Sequence, residues 1–373
     1  MDWKKLNWFA KKVGWKLIFD LNALTRNIHD EWDPGNSLQL FRFNEKMGFS
    51  VDWELGNELN AHHRLHGSQL GKDFLTLRKI LNTFFTTNSS LLVGPDVTQP
   101  SHRSSRQFLK TFLKKANSVV DAVTFHQYYC NGKTATLKDF LDIDLMDSLG
   151  EEISTVKEIV KETGPAQSIW LGESGSAWGG GAPGLSDTYI AGFLWLDKLG
   201  LSAARGLDVV LRQSFYNGHY GMITSDLHPL PDFWLSVLYK WLVGRRVLRV
   251  DVMQKERKLR VYAHCTKLGR IYKTPGAVTL LVINVYNVTA KLILKLDTRM
   301  ESPIDAYLLT PIGSYGLQSK NVALNGKLLK MVREDKLPHF LPKRLPPNSP
   351  IEIPPLSYGL YVLPLLNGTA CIN

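Results

Sequence analysis

Along the first two thirds of the chain, the hydrophobic and polar positions switch repeatedly between a period of two and the helical period. "WKLIFDLNAL" reads as a buried strand and "SLQLFRFNEKMGF" as the helix after it. The unit then repeats. "SVDWELGNE" precedes the helix "SQLGKDFLTLRKILNTFF", and "SLLVGPDV" precedes "SSRQFLKTFLKKANSVV". "DAVTFHQYY" leads to a helix inside "LKDFLDIDLMDSLGEEISTVKEIVKE", and "SIWLGESGS" leads to "DTYIAGFLWLDKLGLSAAR". "LDVVLRQSF" is followed by "PDFWLSVLYKWLVG". Strands alternating with helices at this spacing predict a parallel sheet. Polar residues gathered at the C-terminal ends of the strands predict a (β/α)8 TIM barrel, with its site on the loops of that face. A Rossmann-type sheet fits less well, because no glycine-rich phosphate turn follows the first strand.

Six strand–helix units are visible in the sequence, whereas a TIM barrel takes eight. Residues 1–241 are therefore expected to form an incomplete (β/α) barrel, apparently missing its first strands. After Gly244 the helical period disappears. "VLRVDV", "KLRVYAHC", "AVTLLVINVYN", "AKLILKL", "DAYLLTP" and "GLYVLPL" are short strands between Gly, Pro and Asn turns. Residues 242–373 read as a C-terminal antiparallel β-sandwich.

Charge changes the picture next. A formal net charge of +11 and a pI near 9.4 suit a polyanionic partner: nucleic acid, an anionic membrane or a sulfated glycan. No apolar run reaches the roughly 18 residues of a membrane span. "MDWKKLNWFAKKVGW" is too polar for a secretory signal, so no signal peptide is read in this chain. Cys130, Cys265 and Cys371 show no metal-ligand spacing, and no metal or cofactor is expected. Cys265 and Cys371 either join as a disulfide that ties down the C-terminus or stay as two buried thiols. Sequons stand at Asn88, Asn287 and Asn367.

Three strand ends carry chemistry. The second strand ends at Asn57-Glu58, the fourth at "TFHQYY" with His126 and Tyr128, and the fifth at "LGESGSAWGGG" with Glu173. Glycoside hydrolysis needs two carboxyls, one to protonate the leaving oxygen and one to attack or to activate water. A separation of about 5–5.5 Å implies retention, and a larger one inversion. Either glutamate alone is an ordinary strand-end charge; two on one face of a sheet make a candidate pair. Glu54 competes with Glu58 but falls in mid-strand.

"WELGNELN", "GSQLGKDF", "GPDV", "VTFHQYY", "WLGES", "VVLRQSF", "PLPDFWLS" and "LRVYAHCT" resemble the heparanase family, from about Gly14 to the C-terminus. The resemblance implies a retaining endo-β-glucuronidase that cleaves heparan sulfate, with Glu58 as acid/base and Glu173 as nucleophile. Asn57, His126, Tyr128, Gly179, Gly180, Gln213 and Tyr220 match substrate-site positions. Cys265 and Cys371 match the family's sandwich disulfide, and Asn287 is the expected glycosylation site. "SHRSSRQFLKTFLKK", with Arg103, Arg106 and Lys110, lies after the third strand, near where the resemblance implies a glycan-binding loop. "QKERKLR", with Lys255, Arg257, Lys258 and Arg260, resembles another basic segment. Heparan sulfate or heparin becomes the expected partner, rather than nucleic acid. The expected setting is the extracellular matrix or the lysosome, with peripheral cell-surface association through glycans.

Departures stand beside the match. Leu59 replaces the proline that follows the acid/base, Ser101 a basic residue, Lys133 an arginine, Trp178 a tyrosine and Phe125 a tryptophan. In the family a separate N-terminal light subunit supplies the first barrel strands, so such a partner is expected here. The alternatives are a non-catalytic heparan-sulfate-binding protein, like the family's inactive branch, an inactive truncated product, or a related glycosidase acting on plant-type glycans.

Overall fold

The computed structural model describes residues 2–61, 65–85, 87, 89–165, 167–252, 257–296, 300 and 302–372. Asn88 and Lys255 lie outside the described residues. The chain divides into two compact units.

The first unit comprises Met1–Gln127, Glu151–Ser174 and Leu207–Leu211. Its strands are β1 (Ile18–Leu21), β2 (Asp52–Leu55), β3 (Val93–Val97), β4 (Ala122–Gln127), β5 (Ser168–Ser174) and β6 (Val209–Arg212, whose last residue counts with the second unit). β1 pairs parallel with β2, β3 with β4 and β4 with β5. A parallel bridge from Trp53 to Leu92 joins β2 to β3, and β6 flanks β5. These six strands lie where the alternating pattern predicts them, in sequential order.

Between them run α2 (Gly35–Met47), α3 (Gly67–Leu81), α4 (Arg103–Ala116) and α5 (Ile143–Thr163, whose residues up to Gly150 count with the second unit), after an α1 (Trp3–Val13) that the strand–helix count does not include. Asp2 caps α1 by accepting from the Lys4 amide, and Gly14 closes it in a left-handed conformation. The helices press aromatic side chains onto the sheet and onto one another. Trp53 is fully buried, with Phe41 edge-on at 4.8 Å, and Phe74 meets Phe112 in the same way. In α4 the apolar face buries Phe108, Leu109, Phe112 and Leu113 while Arg103 and Arg106 stay exposed.

The second unit comprises Tyr128–Gly150, Gly175–Gly206 and Arg212–Asn373. It contains α6 (Ala191–Ala204) and α7 (Pro231–Leu242), then β7 (Val243–Leu248), β8 (Leu259–Thr266), β9 (Val278–Asn284), β10 (Ala290–Leu292), β11 (Ile304–Pro311), β12 (Val322–Leu324), β13 (Lys327–Leu328), β14 (Lys343–Leu345), β15 (Ile351–Ile353) and β16 (Ser357–Leu363). The main sheet runs β13-β12-β11-β16-β9-β8-β7, with β14 also on β11, and its pairings are antiparallel. The β10–β15 ribbon adds Ala290, Leu292, Ile351 and Ile353 to a core that also holds Val278, Leu280, Val282 and Tyr361. Cys265 and Cys371 form a disulfide with an S–S distance of 2.04 Å, which anchors the tail to β8.

Candidate active site

Each carboxyl of the candidate pair stands at the C-terminal end of a strand in the first unit. Backbone registers bring them together. His126 on β4 is the register partner of Glu173 on β5, across a local irregularity in the pairing. Past the end of β2 the chain turns at Gly56, and Glu58 adopts a left-handed φ of 49°. The Glu58 amide donates to the Asp96 carbonyl at 2.9 Å, which fastens this turn to β3.

His126 is the hub. Its Nδ1 lies 2.9 Å from Glu58 Oε1 and its Nε2 lies 3.3 Å from Asp96 Oδ1. Burial disfavours its cation, but the hydrogen bonds to Asp96 and Glu58 and the nearby carboxylate charge outweigh this, lifting it to about 10. At neutral pH it is an imidazolium that donates from both nitrogens. One donor atom each from Glu58, His126 and Glu173 lie within 4.8 Å of one another, so one carboxyl oxygen of Glu58 and one of Glu173 are within that distance. Among the described residues, these three donor atoms are also close enough together to hold a metal ion.

The surrounding carboxyls complete the electrostatics. Asp20 on β1 and Glu54 on β2 are register partners. Glu54 is pushed up to about 9, by burial first and then by the charges of Asp96 and Asp20. It is therefore a neutral acid at pH 7. Asp20 rises to about 7, by desolvation among its neighbours first and Asp96 second, although its side chain still reaches solvent, which screens both effects. Strand-end position passes over Glu54 as a mid-strand competitor and singles out neither Asp20 nor Asp96. The available signal is a lone carboxyl within an otherwise apolar strand, in "IFDL" and "GPDV".

The remaining sequence candidates divide between the units. In the first, Asn57 and Arg103 are exposed. In the second, Tyr128 stacks with Tyr220 at 6.4 Å between ring centroids. The Tyr220 carbonyl accepts from Arg212, which is itself paired with buried Asp232 at 2.7 Å and lies over the Trp195 ring. Gly179 and Gly180 have φ values of 78° and 96°, with open space where a side chain would stand. Gln213 is half-buried just after β6, and Asn287 is exposed in the turn after β9. In the basic segment around β8, Arg257 and Arg260 are engaged in ion pairs. Arg257 bonds Asp144 and Asp147 at 2.7 and 2.8 Å, and Arg260 bonds Asp147 and Asp197.

Residues 1–200 match the family described as "Glycosyl hydrolase family 79, N-terminal domain". Over 374 residues the chain is 44% identical to heparanase from Gallus gallus, covering 98% of this chain and 71% of that protein. It is 38% identical to inactive heparanase-2 from Homo sapiens, covering 98% of this chain and 64% of that protein. Among solved structures, a GH51 arabinofuranosidase from Xanthomonas axonopodis pv. citri superimposes with a TM-score of 0.70 at 12% identity, over 96% of this chain and 78% of that one. At that identity the likeness speaks for the fold: a TIM-barrel-like α/β architecture.

Proposed function

As a member of glycosyl hydrolase family 79 this chain is a glycoside hydrolase, and we propose that it is a retaining endo-β-glucuronidase that cleaves heparan sulfate, with Glu58 as acid/base and Glu173 as nucleophile. The observation that carries the reading is the carboxyl pair, with oxygens within 4.8 Å. Inverting enzymes hold theirs about 6.5–9.5 Å apart to admit a water, and retaining ones about 5–5.5 Å. Glu173 attacks the anomeric carbon and displaces the glycosidic oxygen, which takes the proton from Glu58. Glu58 then removes a proton from the water that releases the glycosyl group from Glu173. His126 fixes the Glu58 carboxyl through its Nδ1–H, and Asp96 fixes His126 from behind.

Glycan contacts are proposed for Asn57 and Arg103 in the first unit, and for Tyr128, Gly179, Gly180, Gln213 and Tyr220 in the second. The net charge of +11 suits a sulfated polymer. A second polypeptide that supplies further strands is proposed to complete the barrel, because the order β1 to β6 falls short of the eight strands of a closed one. An extracellular or lysosomal setting suits the disulfide and glycosylation at exposed Asn287. Among the described residues no helix is long and apolar enough to cross a membrane.

The test is incubation of the chain, together with that light polypeptide, with size-defined heparan sulfate at mildly acidic pH. Shortening of the polymer is expected, and Glu173→Ala should end it. Cleavage that survives Glu173→Ala overturns the assignment of the nucleophile. Tight heparin retention with no cleavage would favour the non-catalytic, binding reading, which the 38% identity to an inactive relative keeps in view.

A further inference from the structure

The turn that carries Glu58 is held by a restraint that the carboxyl pair itself does not explain. The Gly56 amide donates to Asp20 Oδ1 at 2.6 Å and shares its proton with the Leu21 carbonyl at 2.9 Å. Gly56 has a φ of 82° and no room for a side chain: a Cβ there would lie 2.4 Å from Leu59 Cδ1 and 2.8 Å from the Ala23 Cβ. Two residues later Glu58 is again left-handed. The segment from β2 to Glu58 thus turns through two unusual backbone conformations, and Leu59, unlike a proline, brings no ring to stiffen the turn.

We propose that Asp20 is a positioning residue for Glu58: from the neighbouring strand it clamps the Gly56 amide and so sets where the Glu58 carboxyl meets the glycosidic oxygen. Register explains why this side chain can do so. Asp20 lies opposite Glu54, and Gly56 is two residues beyond Glu54 on the same strand face, within reach of a short carboxyl. The contact is at the short end for an N–H donor, as expected when the acceptor is a carboxyl. Alanine at position 20 would leave the Gly56 amide with the Leu21 carbonyl alone, and the turn would lose one of the bonds that hold it while keeping the Glu58 amide on the Asp96 carbonyl. Small displacements matter here, because proton transfer to a leaving oxygen requires hydrogen-bond geometry.

The inference rests on the acid/base reading of Glu58. Its test compares wild type, Asp20→Ala, Asp20→Asn and Glu58→Gln, each with the light polypeptide, in steady-state cleavage of size-defined heparan sulfate. Asp20→Ala should lower kcat by about ten- to a hundredfold while KM stays within about twofold, the signature of a misplaced group rather than of lost substrate binding. Asp20→Asn keeps an acceptor oxygen and should recover most of kcat. Amide hydrogen exchange at Gly56 should speed up in Asp20→Ala and not in Asp20→Asn, a measurement that holds even where activity is low. Wild-type kcat in Asp20→Ala, or equal losses in the alanine and asparagine variants at matched thermal midpoints, overturns the proposal. If Glu58→Gln is inactive while Asp20→Ala is normal, only the positioning role falls. If Glu58→Gln retains full activity, the acid/base reading falls and takes the positioning role with it.

Discussion

Around His126, five carboxyl side chains (Asp20, Glu54, Glu58, Asp96 and Glu173) share one cation. Around Arg260, three carboxylates share two guanidiniums. Arg260 grips fully buried Asp197 with two nitrogens and reaches Asp147 at 2.7 Å, Arg257 holds Asp147 and Asp144, and the Tyr262 hydroxyl donates to Asp197 at 2.6 Å. The second cluster is close to balance, with Arg260 and Asp197 bonded fork to fork. The first has more acid than its cation can answer, so protons remain on Glu54 and partly on Asp20. A fold that only needed to be stable would not keep that excess in one place. On the proposed function, the imbalance fits a cluster with a chemical task and the balance one that holds elements together.

The largest expected effect is on the unbalanced side. Glu58→Gln should lower kcat by about 10²–10⁴-fold, the usual worth of a general acid, and should leave the thermal midpoint unchanged or raised as like charge is removed. Steady-state kinetics beside a melting curve check both, and a large loss of stability would mean that the carboxyl is structural after all.

Arg260→Ala should do the reverse. It strands Asp197 in the interior and should cost about 3–5 kcal/mol of folding stability, with little change in activity per folded molecule. Denaturant unfolding monitored on the second unit measures it, and a cost no larger than that of an exposed pair would remove the contrast.

A subtler difference appears with pH. Asp20 and Glu54 have ordinary values of 3.8 and 4.5 and folded values of about 7 and 9. The folded chain therefore keeps protons that the unfolded chain gives up above the usual carboxylate range. The stability linked to them is full below that range and is lost as pH rises toward 7 for Asp20 and toward 9 for Glu54. His126, also raised, adds a loss in the same direction as pH approaches 10. Thermal midpoints should fall between about pH 5 and 9, and Glu54→Gln, which cannot ionise, should flatten that fall. An unchanged slope in the variant would show that Glu54 is ionised in the folded protein.

The smallest effect concerns the surface. Arg103→Ala on exposed α4 should weaken heparin retention only a few-fold, and the difference should shrink as salt rises. Retention that does not respond to salt would point away from charge contacts.

Local pattern carries the reading of the sequence a long way. The segments "SVDWELGNE", "DAVTFHQYY" and "SIWLGESGS" carry Glu58, His126 and Glu173 toward their ends, so strand-end position narrows the candidates to a few residues that include this trio. The hidden part depends on register between strands. Asp20 matters because β1 sets it opposite Glu54, and Asp96 matters because its side chain backs His126. Neither relation has any trace within a single strand. The acidic partners of Arg257 and Arg260 are hidden for the same reason, since they lie far upstream on α5 and α6.

The left-handed backbone of Glu58 has a consequence for directed evolution. Glycine or asparagine adopts such a φ at lower cost than glutamate, by roughly 1 kcal/mol. A library diversified at position 58 and selected only for heat resistance should therefore drift toward Gly or Asn and lose the proposed proton donor on the way. Selection for turnover should hold glutamate in place against that drift.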